Sequence, residues 1–280
     1  MNKALVPLIA VGSAAYASST IEYKDMSDDL KEGLVSSYSF ENAGTPDFKV
    51  DNYDLTVWGQ SPQQGAFTLI EEGGAAILKS GQQDPYKLNF ASGLFGTARE
   101  SHSFTLSFDL VDVSNSAAWA TIVTLYSGAE NSGSAGWNNA MSLLNDSGTL
   151  VIHTRDGGVT GYDGTGTNTT ISTGIGTNAG KVGQVLTLVS DAENSSLTLY
   201  IDGEQKGTVA NWNAMALTGI SFDGTLGGYN AYGQAIIDNL NMWNRALSAT
   251  EVASLIVPEP ATATLSLLAL AGLAARRRRH

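Results

Sequence analysis

The run SFTLSFDLVDV at 103–113 sets the strongest constraint on how this chain can fold. Every second residue from Phe104 to Leu110 is apolar, which is the period of a strand that buries one face. Comparable runs recur along the chain, and turn-forming residues at 145–148 (NDSG) and 202–203 (DG) separate them as hairpin signals. The further candidate strands are 34–40, 53–58, 65–70, 75–80, 119–127, 139–144, 149–154, 184–191, 196–202, 207–210, 219–223 and 234–244.

One short helix is predicted after the last of these strands. Ser248 is placed to cap it, Glu251 stands at the spacing of a capping box, and Val252 and Leu255 share an inward face. About a dozen short antiparallel strands with one such helix predict an all-β fold, a two-sheet antiparallel jelly-roll sandwich. No repeat period or internal linker divides the chain, so we expect one domain within residues 18–257.

The charge of this predicted domain argues against nucleic acid as a partner. It holds 10 basic and 26 acidic residues, a net formal charge of −16, and lacks the basic stripe that phosphate binding needs. Such acidity is suited to solubility outside the cell and to binding cations. The chain has no cysteine, which excludes disulfides and thiolate metal sites.

The N-terminal residues MNKALVPLIAVGSAAYASST have the pattern of a secretory signal peptide. Lys3 supplies the positive start, residues 4–15 the apolar stretch, and Ala15 and Ala17 the small residues of an A-x-A cleavage site. We therefore expect cleavage after Ala17 and export of the remaining chain. An apolar first strand is the alternative interpretation.

The C-terminal residues VPEPATATLSLLALAGLAARRRRH combine a short apolar run with an arginine cluster. Residues 261–275 carry no charge and would span roughly 22 Å as a helix, short of a hydrocarbon core of about 30 Å. Snorkelling arginines or local thinning would allow this run to act as a short transmembrane segment, with the arginines on the cytoplasmic side. A buried core helix is the alternative, although an arginine cluster is a poor neighbour for a core.

The same residues resemble the PEP-CTERM sorting signal of Gram-negative bacteria that produce exopolysaccharide. The Pro-Glu-Pro motif, the apolar run and the arginines occur in the order of that signal; the matching residues are Pro258, Glu259, Pro260, Arg276, Arg277, Arg278 and Arg279. The resemblance implies an exosortase-type membrane enzyme as a processing partner. It also implies transient anchoring in the inner membrane and a final location at the cell surface or in the extracellular matrix.

Three segments between the ends resemble the LamG-like jelly roll of the concanavalin A-like lectin/glucanase superfamily. They are the opening run GLVSSYSFE (33–41), the paired runs LTLV and LTLYIDG (186–203), and the closing run IDNLNMWNRALSATE (237–251). The resemblance implies a concanavalin A-like sandwich and a structural Ca²⁺ that ties the first strand to the last. Its ligands would fall on Glu41 and Asp238, and oxygen is the donor that Ca²⁺ prefers.

Alternatives to this calcium site remain open. Asp238 could instead bond backbone amides, while Glu41 is solvated. Asp51, Asn52 and Asp54 form a second oxygen-rich stretch, which we interpret as turn residues.

Sugar recognition would need aromatic rings that stack on pyranose faces, with amides nearby. Aromatic residues in predicted loops are the candidates, whereas Trp119 and Trp243 are expected in the core. The candidate sugar-binding residues are Trp137, Asn138, Tyr162, Trp212, Tyr229 and Tyr232. Packing over the edge of the sandwich is the alternative role for these rings.

Catalytic patterns are weak in this chain. Glycosidases of the superfamily carry E-x-D-x-x-E on one strand, whereas the nearest match, Asp109-Leu110-Val111-Asp112, lacks both glutamates. In a regular strand these two aspartates would point to opposite faces. The glycine-rich residues 161–183 depart from a phosphate-binding loop, and we expect a flexible surface loop there. The sequence also lacks an H-x-x-x-H zinc pair and a G-x-S-x-G nucleophile elbow.

Three hypotheses follow for the function. The first is an exported, non-catalytic, lectin-like protein that binds glycan or exopolysaccharide. The second is a structural or adhesive matrix protein without a specific ligand. The third is a divergent glycosidase.

Overall fold

The computed structural model describes residues 18–41, 46–50, 55–58, 76–80, 87–90, 103–114, 121–127, 139–154, 169–177, 180–212, 217–222 and 233–258. The strands in these ranges are β1 Ser18–Thr20, β2 Leu34–Tyr38, β3 Phe48–Lys49, β4 Leu55–Trp58, β5 Ala76–Ser80, β6 Lys87–Phe90, β7 Phe104–Ser114, β8 Thr121–Ser127, β9 Asn139–Asp146, β10 Thr149–Thr154, β11 Thr169–Gly176, β12 Gly180–Asp191, β13 Ser196–Ile201, β14 Glu204–Ala210, β15 Leu217–Phe222, β16 Gly233–Trp243 and β17 Ile256–Pro258. The helices are α1 Asp28–Lys31 and α2 Ala249–Ser254, with a 3₁₀ turn at Tyr23–Asp25.

Two large antiparallel sheets form the sandwich that the sequence predicts. One has the strand order β11-β10-β9-β8-β15-β6-β4, and the other the order β14-β13-β12-β7-β16-β2-β3, with β5 also paired to β16. β1 and β17 form a separate two-stranded sheet. The predicted all-β, jelly-roll architecture is therefore confirmed.

The core between the sheets follows the alternation seen in the sequence. Phe104, Leu106, Phe108 and Leu110 of β7 are all buried and pack in the main hydrophobic cluster. The facing sheet contributes apolar side chains from β8, β9 and β10, among them Met141. Burial of one face of each strand accounts for the pairing register.

The eight-stranded sheet is also covered on its other face, which the sequence analysis did not predict. The segment before β2, helix α2 and the residues around it lie there in a second hydrophobic cluster that includes Met26, Leu30, Trp243 and Val252. The indole N–H of Trp243 donates to the carbonyl oxygen of Leu30 at 2.7 Å. We call this covered side the outer face of the eight-stranded sheet.

The predicted helix is confirmed with its cap. The Ser248 side chain accepts from the Glu251 N–H, and the Glu251 carboxylate accepts in turn from the Ser248 N–H, which completes a capping box. Val252 and Leu255 are buried, as expected. Helix α1 was not predicted; it is one turn long, and the Ser27 side chain accepts from the Leu30 N–H.

The glycine-rich segment is a correction to the sequence analysis. Thr169–Gly176, expected in a flexible surface loop, is strand β11, which pairs with β10 at the edge of its sheet. Its Thr173 hydroxyl donates to the Leu150 carbonyl oxygen at 2.7 Å. Ile171 packs so close to β14 that a Cβ on Gly207 would lie 2.7 Å from its Cγ2, so glycine is required where the two sheet edges meet.

Several of the remaining sequence-based predictions lie outside the described residues. The candidate strand 65–70, the signal peptide with Ala15 and Ala17, and the tail from Glu259 onward are among them. Within the described ranges, no helix is both long and apolar enough to cross a membrane.

Candidate acidic site on the outer sheet face

Asp109 and Asp238 lie opposite each other on the neighbouring strands β7 and β16. Because the residues flanking Asp109 on β7 point into the core, Asp109 points to the outer face. Directly opposed residues of an antiparallel pair share a face, so Asp238 points the same way. The sheet therefore brings two carboxylates together on its outer side.

A break in the ladder at Asn239 shapes this pair. The register shifts between Asp238 and Asn241, and Asn239 has a φ of 46°. Asparagine tolerates this left-handed conformation better than most residues, which explains a polar residue within an apolar strand. Its backbone N–H donates to Asp238 Oδ1 at 2.7 Å, and its side chain Nδ2 donates to Asp109 Oδ2 at 2.8 Å.

Asp109 is buried beneath the first described strand. Thr20 donates to its Oδ1 twice, from the backbone N–H at 2.9 Å and from Oγ1 at 2.5 Å. Burial raises the pKa of Asp109 to about 6, against the lowering effect of the hydrogen bonds from Asn239 and Thr20. The nearby charge of Asp202 raises this pKa further.

Asp238 is held in a less favourable environment for its charge. Burial raises its pKa to about 8, although the Asn239 N–H lowers it. The charges of Asp109, Glu41 and Glu22 raise the pKa of Asp238 further. We call these four residues the acidic cluster.

The acidic cluster includes the two residues that the sequence analysis assigned to calcium, Asp238 and the exposed Glu41. A cation beside Asp238 would offset the repulsion that raises its pKa. Asn241 lies on the same face, opposite Ser107, which is two residues before Asp109 on β7. Its Nδ2 donates to the Asn239 carbonyl oxygen at 3.0 Å. Its buried Oδ1 has no hydrogen-bond partner among the described residues. Carboxylate and amide oxygens are suitable donors for Ca²⁺.

A complete metal centre is not formed by the described residues alone. They contain no group of three or more histidine, cysteine, aspartate or glutamate side chains that could hold a metal ion. The oxygen-rich residues 51–54 lie outside the described ranges. The donors present agree in kind with Ca²⁺, since Ca²⁺ also accepts backbone carbonyl oxygens and water as ligands.

Comparison with protein families matches residues 81–253 to the Laminin_G_3 family model of the concanavalin A-like lectin/glucanases superfamily. The chain belongs to this superfamily. The match covers more than half of the chain, including β7 and most of the strands beyond it. Comparison with curated proteins gives no match.

Solved structures with a similar fold include binding domains of toxins. A botulinum neurotoxin type C structure, described in connection with cell entry through two ganglioside molecules, has a TM-score of 0.55 at 16% identity and covers 81% of this chain and 51% of its own. The binding domain of Paraclostridial Mosquitocidal Protein 1 has a TM-score of 0.53 at 20% identity, with coverages of 81% and 52%. The binding domain of botulinum neurotoxin DC in complex with rat synaptotagmin II has a TM-score of 0.54 at 16% identity, with coverages of 81% and 51%. This chain thus spans about half the length of the structures it resembles, and the likeness concerns the fold.

The arrangement of Asp109 and Asp112 corrects a sequence-based expectation about this superfamily member. The two aspartates were expected on opposite faces, but the register shifts between Leu110 and Asp112. Asp112 pairs with Ile236, whose neighbours Ala235 and Ile237 both point into the core, so Asp112 lies on the outer face with Asp109. The extra residue at Val111 causes this change of face.

The candidate sugar-binding residues are not brought together by the described part of the domain. Trp212 is only 2% exposed, packs in the main core and donates from its indole N–H to Ser190 Oγ at 2.9 Å, so its ring cannot stack on a sugar. Trp243 is fully buried, as predicted, whereas Trp119 lies outside the described residues. The other candidates also lie outside them: Trp137, Asn138, Tyr162, Tyr229 and Tyr232.

Sequence reasoning missed Asp109, Thr20 and Asn239 as parts of the acidic site. Asp109 stands at a regular polar position of an alternating strand, so nothing local marked it, and its partner Thr20 is 89 residues away along the chain. Asn239 follows Asp238 directly, and two adjacent polar residues within an otherwise apolar strand could have indicated the break in the ladder.

Proposed function

We propose that this protein is an exported, non-catalytic binding module that recognises glycan or exopolysaccharide. The observation that carries the proposal is membership of the concanavalin A-like superfamily over residues 81–253 in a chain with two antiparallel sheets. Two of the similar solved structures are binding domains of toxins, and a third is reported in connection with ganglioside. Binding is the role that these similarities support.

The placement of Asp109 supports a non-catalytic role. A glycosidase needs two carboxyl groups that flank a substrate in an accessible groove. Asp109 lies instead beneath Thr20, which occupies one of its oxygens with two hydrogen bonds, while Asn239 binds the other. Asp109 is therefore covered and not open to a substrate, and we interpret its raised pKa as a result of burial.

Calcium is the proposed ligand of that structural site, with Glu41 and Asp238 as carboxylate donors. The raised pKa of Asp238 and the unpaired, buried oxygen of Asn241 both support a cation at this place. The ion would hold the segment after β2 against β16 and would act on stability rather than on sugar chemistry.

The two ends of the chain support export and sorting. The signal-peptide pattern with Ala15 and Ala17 would direct the chain across the inner membrane. The Pro258-Glu259-Pro260 tail with its arginines would be recognised by an exosortase-type enzyme, after transient anchoring in that membrane. The proposed location is the cell surface or extracellular matrix.

A polysaccharide-binding assay tests the proposal. The purified chain is screened against a glycan array and against exopolysaccharide, with Ca²⁺ and with EDTA. We expect saturable binding that decreases when loop aromatics are replaced, as in Trp137→Ala, and that Trp212→Phe leaves unchanged because Trp212 is buried.

Other outcomes separate the three hypotheses. No binding to any polysaccharide in either buffer would overturn the lectin-like role. Altered biofilm cohesion in a deletion strain, without sugar affinity of the purified protein, would favour the structural matrix role. Release of reducing sugar would favour a glycosidase.

A further inference from the structure

The two ends of the domain meet in a small antiparallel sheet. β1 and β17 pair so that Ser18 lies opposite Pro258 and Thr20 opposite Ile256. The Ile21 N–H extends the pairing by donating to the Leu255 carbonyl oxygen at 2.7 Å. We call residues 18–21 together with 255–258 the latch.

Two aspartates hold the N-terminal half of the latch through hydrogen bonds, one on β7 and one in the turn between β13 and β14. Asp109 accepts from Thr20, as described above. Asp202 accepts from the Ser18 hydroxyl. Asp202 is itself fixed, because it also accepts from the Val185 N–H at 2.9 Å and from Gln184 Nε2 at 3.0 Å. The latch is therefore attached to the sheet at both ends of β1.

The C-terminal half of the latch packs tightly against the hairpin between β13 and β14. A Cβ on Gly203, which has a φ of +77°, would lie 3.1 Å from Ile256 Cγ1 and 3.2 Å from Ala253 Cα. Ile256 also packs against the outer hydrophobic cluster. β17 is therefore held by β1 along one edge and by the hairpin through its side chain.

We propose that the latch is a conformational lock that restricts proteolytic processing of the C-terminal tail to residues beyond Pro258. Proteases and transpeptidases commonly bind the chain in an extended form, through backbone hydrogen bonds of the kind made by an added strand. In the closed latch the backbone groups of Val257, like the carbonyl oxygen of Leu255, face β1. An enzyme that cuts near Pro258-Glu259-Pro260 then has access to the chain only after the last latch residue.

The proposal assigns a role to the first residues of the mature protein. It rests on the predicted cleavage after Ala17, which would make Ser18 the N-terminal residue. The N-terminus of the mature protein would then be part of the latch, which directly precedes the sorting tail. N-terminal sequencing of the exported protein tests that cleavage separately from the lock.

Hydrogen exchange on the full chain, exported and purified in detergent, tests the lock. Ile21→Pro removes the N–H that donates to Leu255, whereas the matched control Ile21→Ala keeps this N–H and loses the side chain. Val257 lies opposite Ser19, two residues from the Ile21–Leu255 bond, so its N–H faces β1 in the alternating pattern of an antiparallel pair. We expect the amide of Val257 to exchange about tenfold faster in Ile21→Pro than in Ile21→Ala. Digestion with proteinase K should yield new cuts between Leu255 and Pro258 only in the proline variant.

Equal exchange rates and equal cleavage patterns in the two variants would overturn the proposal. Protection of the β10 amides at 150–152 reports whether the sandwich remains folded. If Ile21→Pro loses that protection, Thr20→Val is compared with Ser19→Ala instead. Thr20→Val removes one hydrogen bond to Asp109, and we expect at least threefold faster exchange at Val257. Equal rates in this second pair would also overturn the proposal.

Discussion

The substitution Asp238→Asn should stabilise the protein at pH 8 when no cation is present. The pKa of Asp238 is raised from 3.8 to about 8 because the group is buried beside other carboxylates. A raised pKa means that the folded state binds a proton more tightly than the unfolded state does. The associated stability is fully present below about pH 4 and is lost as the pH rises toward 8.

The size of this loss follows from the pKa. Each pH unit between the two values corresponds to about 1.4 kcal/mol, so the whole range corresponds to roughly 6 kcal/mol. Asp238 is only partly buried, and solvent screening reduces the cost to about 3 kcal/mol. Asparagine keeps the shape and can still accept from the Asn239 N–H, but it carries no charge. The variant should therefore unfold with a free energy about 3 kcal/mol higher than that of the wild type at pH 8.

Urea unfolding in EDTA at pH 8 and at pH 4 measures this difference. The gain should largely disappear at pH 4, where Asp238 is protonated in the folded state and about half protonated in the unfolded state. Asp146→Asn, at the end of β9, is the matched control and should change the free energy by less than about 0.5 kcal/mol. An Asp238→Asn variant that is less stable than the wild type at pH 8 in EDTA would refute the reasoning.

Calcium should remove most of the difference in stability between Asp238→Asn and the wild type at pH 8. For a site with a dissociation constant of about 10 μM, 1 mM Ca²⁺ adds about 2.7 kcal/mol to the stability of the wild type. Asp238→Asn removes a carboxylate ligand and should gain much less. Equal stabilisation of both proteins by Ca²⁺ would exclude Asp238 as a ligand.

Three further substitutions test the packing and the hydrogen bonds of the fold. Gly207→Ala would place a Cβ 2.7 Å from Ile171 Cγ2 and should lower the free energy of unfolding in urea by about 1–3 kcal/mol. Gly176→Ala, whose new Cβ would have its nearest atom 3.9 Å away, should be nearly neutral. Equal effects of the two substitutions would contradict the tight contact between the sheet edges. Arg245→Ala removes two hydrogen bonds to backbone carbonyls of the N-terminal segment and an ion pair with Glu251, and should lower the free energy of unfolding by about 1–3 kcal/mol. An unchanged melting temperature would contradict a stabilising role for these contacts. Trp212→Phe removes a buried hydrogen bond of 2.9 Å and should cost about 1–2 kcal/mol without any change in glycan affinity; a loss of affinity in a folded variant would restore Trp212 to the sugar site.

The sandwich was predictable from the sequence because its strands carry their burial pattern locally. The alternation in β7 shows directly in residues 104–110, and the capping box of α2 requires only Ser248 and Glu251. Strand β11 was missed because glycine, threonine and asparagine in 161–183 have the composition of a loop. Pairing with β10 and contact with β14 determine its conformation, so tertiary context outweighs composition there.

The acidic site was only partly predictable. Asp238 and Glu41 could be selected because a resemblance aligned them with calcium ligands, and that assignment stays a prediction. The contribution of Asp109 depends on contacts with Thr20, which lies 89 residues away along the chain. The outer layer that buries Asp109 likewise comes from segments far apart in sequence, and local patterning carries no signal for such packing.

A single incubation of the purified chain with exopolysaccharide tests the claim of a non-catalytic binding module most directly. Bound protein and newly formed reducing ends can both be measured in the same sample. The account predicts saturable binding with no increase in reducing ends over an enzyme-free control, even at high protein concentration. Reducing ends that increase in proportion to the protein would contradict a non-catalytic binding module.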